Sequence, residues 1–291
     1  MQKNISKILK TLVWGDEVSL CVLDTTALVN EAISRHKLSA VAAAALGRCM
    51  TATAYLCSWL KGEDSTLSVS VNGNGAGGKI GVVGDGNLSL RGYIENPDLE
   101  LPLRADGKLD VGACVGHTGV LSVIRDDGDG LPFTGTCELV SGEVAEDFSA
   151  YFLTSEQRPT AIALGVQIQR GKCIGAGGVF LQLLPKASEG ALLRAEKEIL
   201  YFNNISARVR EEGIEAIARG LGAESWTKRE IAFRCHCSRA RAASAIVSLG
   251  RKEAEQVIEE EGKITVHCHY CNTDYSFQDG DVEKLFGEEG I

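Results

Sequence analysis

The sequence predicts an α+β fold. A twisted, largely antiparallel sheet with helices occupies residues 1–185, a helical linker residues 186–225, and a small cysteine-bearing domain residues 226–291. Three observations carry this reading. Short runs alternate apolar and polar residues at period two between Gly, Asp and Asn turns, the signature of half-buried antiparallel strands. After Pro185 the composition changes to Glu/Arg/Ala-rich helix punctuated by Gly190, Gly213, Gly220 and Gly222. Finally, of ten cysteines, Cys235, Cys237, Cys268 and Cys271 crowd into the last segment.

Taken in order, VSLCVLD reads as a strand, and Thr26 to Ser34 and Leu38 to Leu60 read as helices. The runs STLSVSV, GKIGVVG, NLSLRGY, KLDVGAC, GVLSVIR and FTGTCELV follow as strands. Ser141 to Ser155 reads as a helix, and Thr160 to Gln169 and Lys172 to Leu184 as apolar strands. In the linker, Leu192, Leu193, Ile199 and Leu200 form one apolar helix face and Ile214, Ile217, Ala218 and Leu221 a second. Narrow seams of this kind owe their stability to a neighbour, so the linker is the segment expected to open locally.

With 291 residues, 44% apolar and 24% charged, the chain lies in the globular range. A net charge of −9 argues against a general polyanion binder. The N-terminal segment MQKNISKILKTLVWGDEVSL has no apolar run fit for a signal peptide, so a cytoplasmic protein is expected. Leu38 to Leu60 is long enough to span a bilayer, but it is Ala- and Thr-rich with Arg48 near its middle. It reads as a buried core helix, and no membrane partner is expected.

In a reducing compartment a cysteine cluster points to a metal or redox site rather than to a permanent disulfide framework. The four tail cysteines form CxC and CxxC separated by 30 residues, and the CxxC stands between the strand-like runs KITVH and DYSF. Two close pairs brought together offer four sulfurs to one tetrahedral Zn2+, with Zn–S near ~2.3 Å. His236, His267 and His269 are interleaved with these sulfurs, but four thiolates already close a structural site. Ser238 is positioned to N-cap the helix RARAASAIVSLG, placing Cys237 at its positive end. Lys228, Arg229, Arg234, Arg239 and Arg241 add positive charge that favours thiolate. Cys21, Cys49, Cys57, Cys114, Cys137 and Cys173 lie in apolar patterns and read as small core residues. Cys114 and His117 make an isolated CxxH, and His36 has no evident partner.

Rival functions leave weaker marks. Gly73 to Lys79 satisfies a phosphate-loop spacing, but residue 80 is Ile and the segment continues as strand, so a hairpin loop is expected. A zinc-ribbon nucleic-acid module would use the basic cluster with Phe233, Tyr270 and Tyr275 as stacking rings, and the acidic run Glu253 to Glu261 opposes it. A thiol oxidoreductase would open a helix with its CxxC, which this chain does not. The chain is not read as an enzyme.

The motif CHC followed after 30 residues by CHYC, with YFLTSEQRPT at 151–160, GGVFLQLLP at 177–185 and RGYIENP at 91–97, resembles the redox-regulated chaperonin family, the heat-shock protein of 33 kDa. The resemblance implies an ATP-independent holdase for unfolding proteins under oxidative stress, reduced and zinc-bound when inactive. It implies one Zn2+ on Cys235, Cys237, Cys268 and Cys271, and disulfides Cys235–Cys237 and Cys268–Cys271 on activation. It further implies release of the ion, unfolding of tail and linker, a homodimer when active, and residues 1–185 as the client-binding and dimerisation domain.

Overall fold

The computed structural model describes residues 5–128 and 130–287, which divide into two compact units between Arg234 and Cys235. The first contains β1 (Ser6–Val13), β2 (Val18–Asp24), α1 (Thr26–His36), α2 (Ala40–Cys57), β3 (Thr66–Asn72), β4 (Ile80–Asp85) and β5 (Ser89–Ile94). There follow α3 (Val111–Val115), β6 (Val120–Asp126), β7 (Phe133–Glu138), α4 (Ala145–Thr154), β8 (Thr160–Gln169) and β9 (Lys172–Leu183). Helices α5 (Glu189–Ile199), α6 (Ile205–Glu211) and α7 (Ile214–Gly220) lead to β10 (Thr227–Phe233). The second unit contains α8 (Arg239–Leu249), α9 (Arg251–Glu261), β11 (Ile264–Cys268), β12 (Thr273–Phe277) and α10 (Asp279–Gly287).

The ten strands of the first unit form one sheet in the order β7-β6-β3-β4-β5-β10-β1-β2-β9-β8. Every pairing is antiparallel except the short parallel contact of β10 with β5. Strand β3 buries alternate residues: Leu67, Val69 and Val71 point into the core while Ser68 and Ser70 are only half-buried. Strands β1, β2 and β9 are covered on both faces. Ile8, Cys21, Leu23 and Phe180 pack into the core around α1 and α2. Leu9, Val18, Leu20, Val22, Val179 and Leu181 pack on the other side with Ala191, Ala195, Phe202, Ile205, Val209 and Ile217 of the α5–α7 segment. This two-sided burial explains the unbroken apolar run of VSLCVLD.

Helix α2 is buried along nearly its whole length, from Val41 to Cys57, as a core helix rather than a membrane span. Ser39 caps it, accepting a hydrogen bond from the Ala42 amide. The loop at 73–79 joins the antiparallel pair β3 and β4, as the hairpin reading requires. Its glycines serve close packing: a Cβ on Gly73 or Gly75 would collide with the backbone of Val115 and Gly116.

Several elements differ from the sequence reading. KLDVGAC contains a helix, α3, not a strand; the Asp110 carboxylate accepts from the Ala113 amide at 2.9 Å and caps it, and this local bond outweighs the alternation. The helix read from Ser141 begins at Ala145, because Val140, Ser141, Gly142 and Val144 turn their amides onto the buried Asp147 carboxylate. In α5 the buried face is Ala191 and Ala195, with Leu193 exposed at 59%, and Leu200, just past the helix end, is exposed at 65%. Small residues let that helix lie close to the sheet. Two strands escaped the sequence reading, β1 and β10. The latter falls in the segment placed with the cysteine tail, yet it pairs with β1 from Ser6↔Ile231 to Lys10↔Thr227.

The second unit has a small core of Ala242, Ile246, Ala254, Ile264, Phe277 and Val282, closed by the hairpin β11–β12.

Candidate metal centre

The four tail cysteines reach one point from two local structures. Cys235 and Cys237 lie on the extended segment before α8. Ser238 is extended and its hydroxyl accepts from the Arg241 amide at 3.2 Å, so the expected N-cap is present and Cys237 precedes the positive end of the helix. Cys268 ends β11, and the tight turn after it is closed by amides of Cys271 and Asn272 donating to the Cys268 carbonyl at 3.3 and 2.8 Å. Asn272 takes the left-handed conformation, φ 55°, that Asn tolerates, which returns the chain into β12 and leaves Cys271 buried beneath the turn.

The four sulfurs all lie within 4.8 Å of one another, the cluster among the described residues that could hold a metal ion. Cys235 Sγ lies 3.7 Å from Cys268 Sγ, and Cys237 Sγ lies 3.3 Å from Cys271 Sγ. A tetrahedral thiolate site with metal–sulfur bonds of ~2.3 Å has sulfur–sulfur edges of about 3.8 Å. The donor set and its spacing therefore fit a tetrahedral, sulfur-preferring ion. Both short contacts join the CxC to the CxxC.

Two side chains that the sequence reading did not assign to the site touch the sulfurs. The Tyr275 hydroxyl donates to Cys237 Sγ at 3.2 Å, and Thr273 Oγ1 lies 3.3 Å from Cys271 Sγ. The signal was present in the period of the strand: Thr273 and Tyr275 share one side of β12, next to the CxxC turn. Tyr275, weighed from sequence as a stacking ring for bases, instead directs its hydroxyl to a sulfur. Burial pushes the Cys235 and Cys271 thiols up. Burial also acts to raise Cys237, but hydrogen bonds from Tyr275 and the neighbouring sulfurs outweigh it and bring that thiol down to about 7.

The histidines stand outside the sulfur cluster. His267 Nδ1 lies 2.6 Å from an Asp274 carboxylate oxygen, and its ring packs edge-on to His269. Much of the basic cluster has other work than the counter-charge expected of it. Lys228 pairs with Glu215 at 2.7 Å, and Arg229 donates to the Gly86 carbonyl, both within the first unit. Arg239 stacks on Phe277 and pairs with Asp281 at 2.9 Å, pinning α10 to the hairpin.

The upstream cysteines are unpaired. Cys21, Cys49, Cys57, Cys114 and Cys173 are buried and Cys137 is half-buried. Burial pushes Cys114 and Cys137 up to about 11 and Cys173 to about 12, with Cys21, Cys49 and Cys57 also raised. Such thiols are poor nucleophiles at neutral pH.

Comparison with known proteins places this geometry. The sequence model of the family described as Hsp33 protein matches residues 6–278. A 33 kDa chaperonin of Ruminiclostridium cellulolyticum is 38% identical over 269 residues, covering 91% of this chain and 92% of the relative. One of Desulforamulus reducens is 40% identical over 267 residues, covering 90% of each. The crystal structure of the 33 kDa chaperonin of Thermotoga maritima superposes with a TM-score of 0.90 at 34% identity, covering 98% of each chain.

Proposed function

Because the chain belongs to the Hsp33 family of redox-regulated holdase chaperones, which are not enzymes, we propose that Cys235, Cys237, Cys268 and Cys271 hold one Zn2+ in the reduced protein and form its switch. The observation that carries this reading is the mutual approach of all four sulfurs within 4.8 Å. When bound, the ion supplies a four-thiolate cross-link that holds the sulfurs deprotonated.

Oxidation converts the sulfurs to the disulfides Cys235–Cys237 and Cys268–Cys271. Two sulfur contacts, Cys235 to Cys268 and Cys237 to Cys271, join the two motifs, and pairing within each motif breaks both. Once the thiolates are consumed, the second unit keeps only its small core and unfolds. The linker 186–225 then detaches. Its helices cover Leu9, Val18, Leu20, Val22, Val179 and Leu181, and that sheet face becomes the apolar surface for clients.

The active protein is a homodimer in the cytoplasm, and its partners are unfolding polypeptides rather than membranes or nucleic acids. Three of the five cations a nucleic-acid reading would use, Lys228, Arg229 and Arg239, are already engaged. The test compares the reduced, zinc-loaded protein with the peroxide-treated protein in suppressing aggregation of a heat-unfolded client. Suppression should rise as zinc is released and the four tail thiols disappear. If it stays flat while both occur, the switch reading is wrong.

A further inference from the structure

The sulfurs of the cluster are not equivalent, and the difference lies in Tyr275. Its hydroxyl donates to Cys237 Sγ at 3.2 Å from a ring partly buried against the small core. Its place is fixed by the strand. Phe277, two residues on and on the same side of β12, is buried in that core, and Tyr275 pairs with Val266 across the hairpin. A donor held this way draws electron density from a thiolate, and a thiolate so stabilised attacks an oxidant more slowly.

We propose that Tyr275 is a positioning residue that restrains Cys237, so that oxidation of this sulfur by a peroxide is slowed by the tyrosine hydroxyl. In the step concerned the Cys237 thiolate attacks a peroxide oxygen. An S–O bond forms, the O–O bond breaks and hydroxide leaves, giving a sulfenic acid. The Cys235 thiolate then attacks the sulfenic sulfur, forming the disulfide and expelling a second hydroxide. The sulfurs lose two electrons and the peroxide gains them. Tyr275 sets the rate of the first event through its hydrogen bond and takes no part in electron transfer. This inference rests on the reading of Cys237 as a metal ligand and redox cysteine.

The test uses full-length Tyr275→Phe, which keeps the ring and removes the hydroxyl, beside Tyr275→Leu, which removes both. Zinc-loaded protein is exposed to hydrogen peroxide, sulfenic acids are captured with a cyclic 1,3-dione, and labelling of each cysteine is followed by peptide mass spectrometry. In Tyr275→Phe, sulfenic acid at Cys237 should form about three to ten times faster relative to Cys268 than in the parent protein. The sulfur-to-metal charge-transfer band of the cobalt-substituted protein should also shift. An unchanged ratio of Cys237 to Cys268 labelling would overturn the proposal. So would equal acceleration at all four cysteines, or acceleration in Tyr275→Leu alone, since either marks a packing role. Loss of the zinc-loaded fold in Tyr275→Phe, read by circular dichroism, would do the same. Were the parent protein to bind no zinc, the underlying reading would fail instead, and zinc content measured before oxidation separates the two failures.

Discussion

The two units hold their cysteines for opposite reasons. In the first, thiols such as Cys21 and Cys49 are fully buried among Leu23, Ala45 and Phe180 and behave as small apolar side chains. In the second, four sulfurs converge on one point beside a core of only a few buried residues. The first unit is stable through burial at about 25 cal/mol per Å² over a ten-stranded sheet covered by helices. The second has little such area. Its shape depends on what the sulfurs hold together, so the same residue type, cysteine, is structural filler in one place and the main determinant of folding in the other.

The strongest way to break this contrast is to remove the metal. Chelation, or Cys268→Ser with Cys271→Ser, should abolish amide protection throughout 239–287, an effect on the order of 10 kcal/mol. Protection in β1, β2 and β9 should persist in hydrogen-exchange measurements. A second unit still protected without metal would show that its apolar core suffices.

Next comes the boundary between stable and labile parts within the first unit. Phe202→Ala or Ile217→Ala should each cost about 3 kcal/mol and expose residues 186–225 to limited proteolysis at lower temperature. Phe180→Ala, on the opposite face of the sheet, should cost a similar amount but lower the melting temperature of the whole unit instead. If the two classes behave alike, the linker is not a separate cooperative segment.

A third measurement sharpens the distinction between cysteines. Cys21→Ala and Cys49→Ala should destabilise by about 1–2 kcal/mol through the small cavities left behind, with the response to peroxide unchanged. In native protein stripped of metal, an aromatic disulfide reagent at neutral pH should titrate the four tail thiols rapidly and the upstream ones slowly. Rapid reaction at Cys137, the half-buried exception, would blur the division.

The smallest effect concerns Glu215 and Lys228, which tie α7 to β10. The hydrogen bond from Lys228 leads the causes that hold the Glu215 carboxyl below its ordinary value. A depressed native value means that the pair contributes stability above the unfolded carboxylate's value and loses it as pH falls through the native one. Glu215→Gln should remove this acid-range dependence, at a cost of about 0.5 kcal/mol or less at neutral pH because the pair is partly exposed. Proteolysis of the linker at neutral and mildly acidic pH reads the difference.

What could be read from the sequence follows from where one physical signal dominated. The sulfur cluster was legible because two close cysteine pairs in a polar tail have little apolar core to fill and so point to metal or redox chemistry. Strands β3 to β7 were legible because one face of each meets the core. Strand β1 was not: Ile8 and Leu9 are both buried, on opposite faces, while Lys7, Lys10 and Thr11 interrupt any period. Strand β10 leaves Thr227 to Glu230 exposed, so its hydrogen bonds to β1 and β5, and not an apolar pattern, define it. Tyr275 went unassigned to the site because it was weighed as a ring that stacks on bases, and its hydroxyl's partner lies 38 residues away in sequence.

The pairing of β1 with β10 has a consequence for biosynthesis. Residues 6–10 leave the ribosome early, but their partners at 227–231 follow more than two hundred residues later. At translation rates of ~5–20 residues per second, one edge of the N-terminal strand stands unpaired for roughly 10–45 s. An open strand edge invites association with other chains. The nascent protein thus carries, for the length of its own synthesis, the kind of exposed surface that chaperones exist to shield.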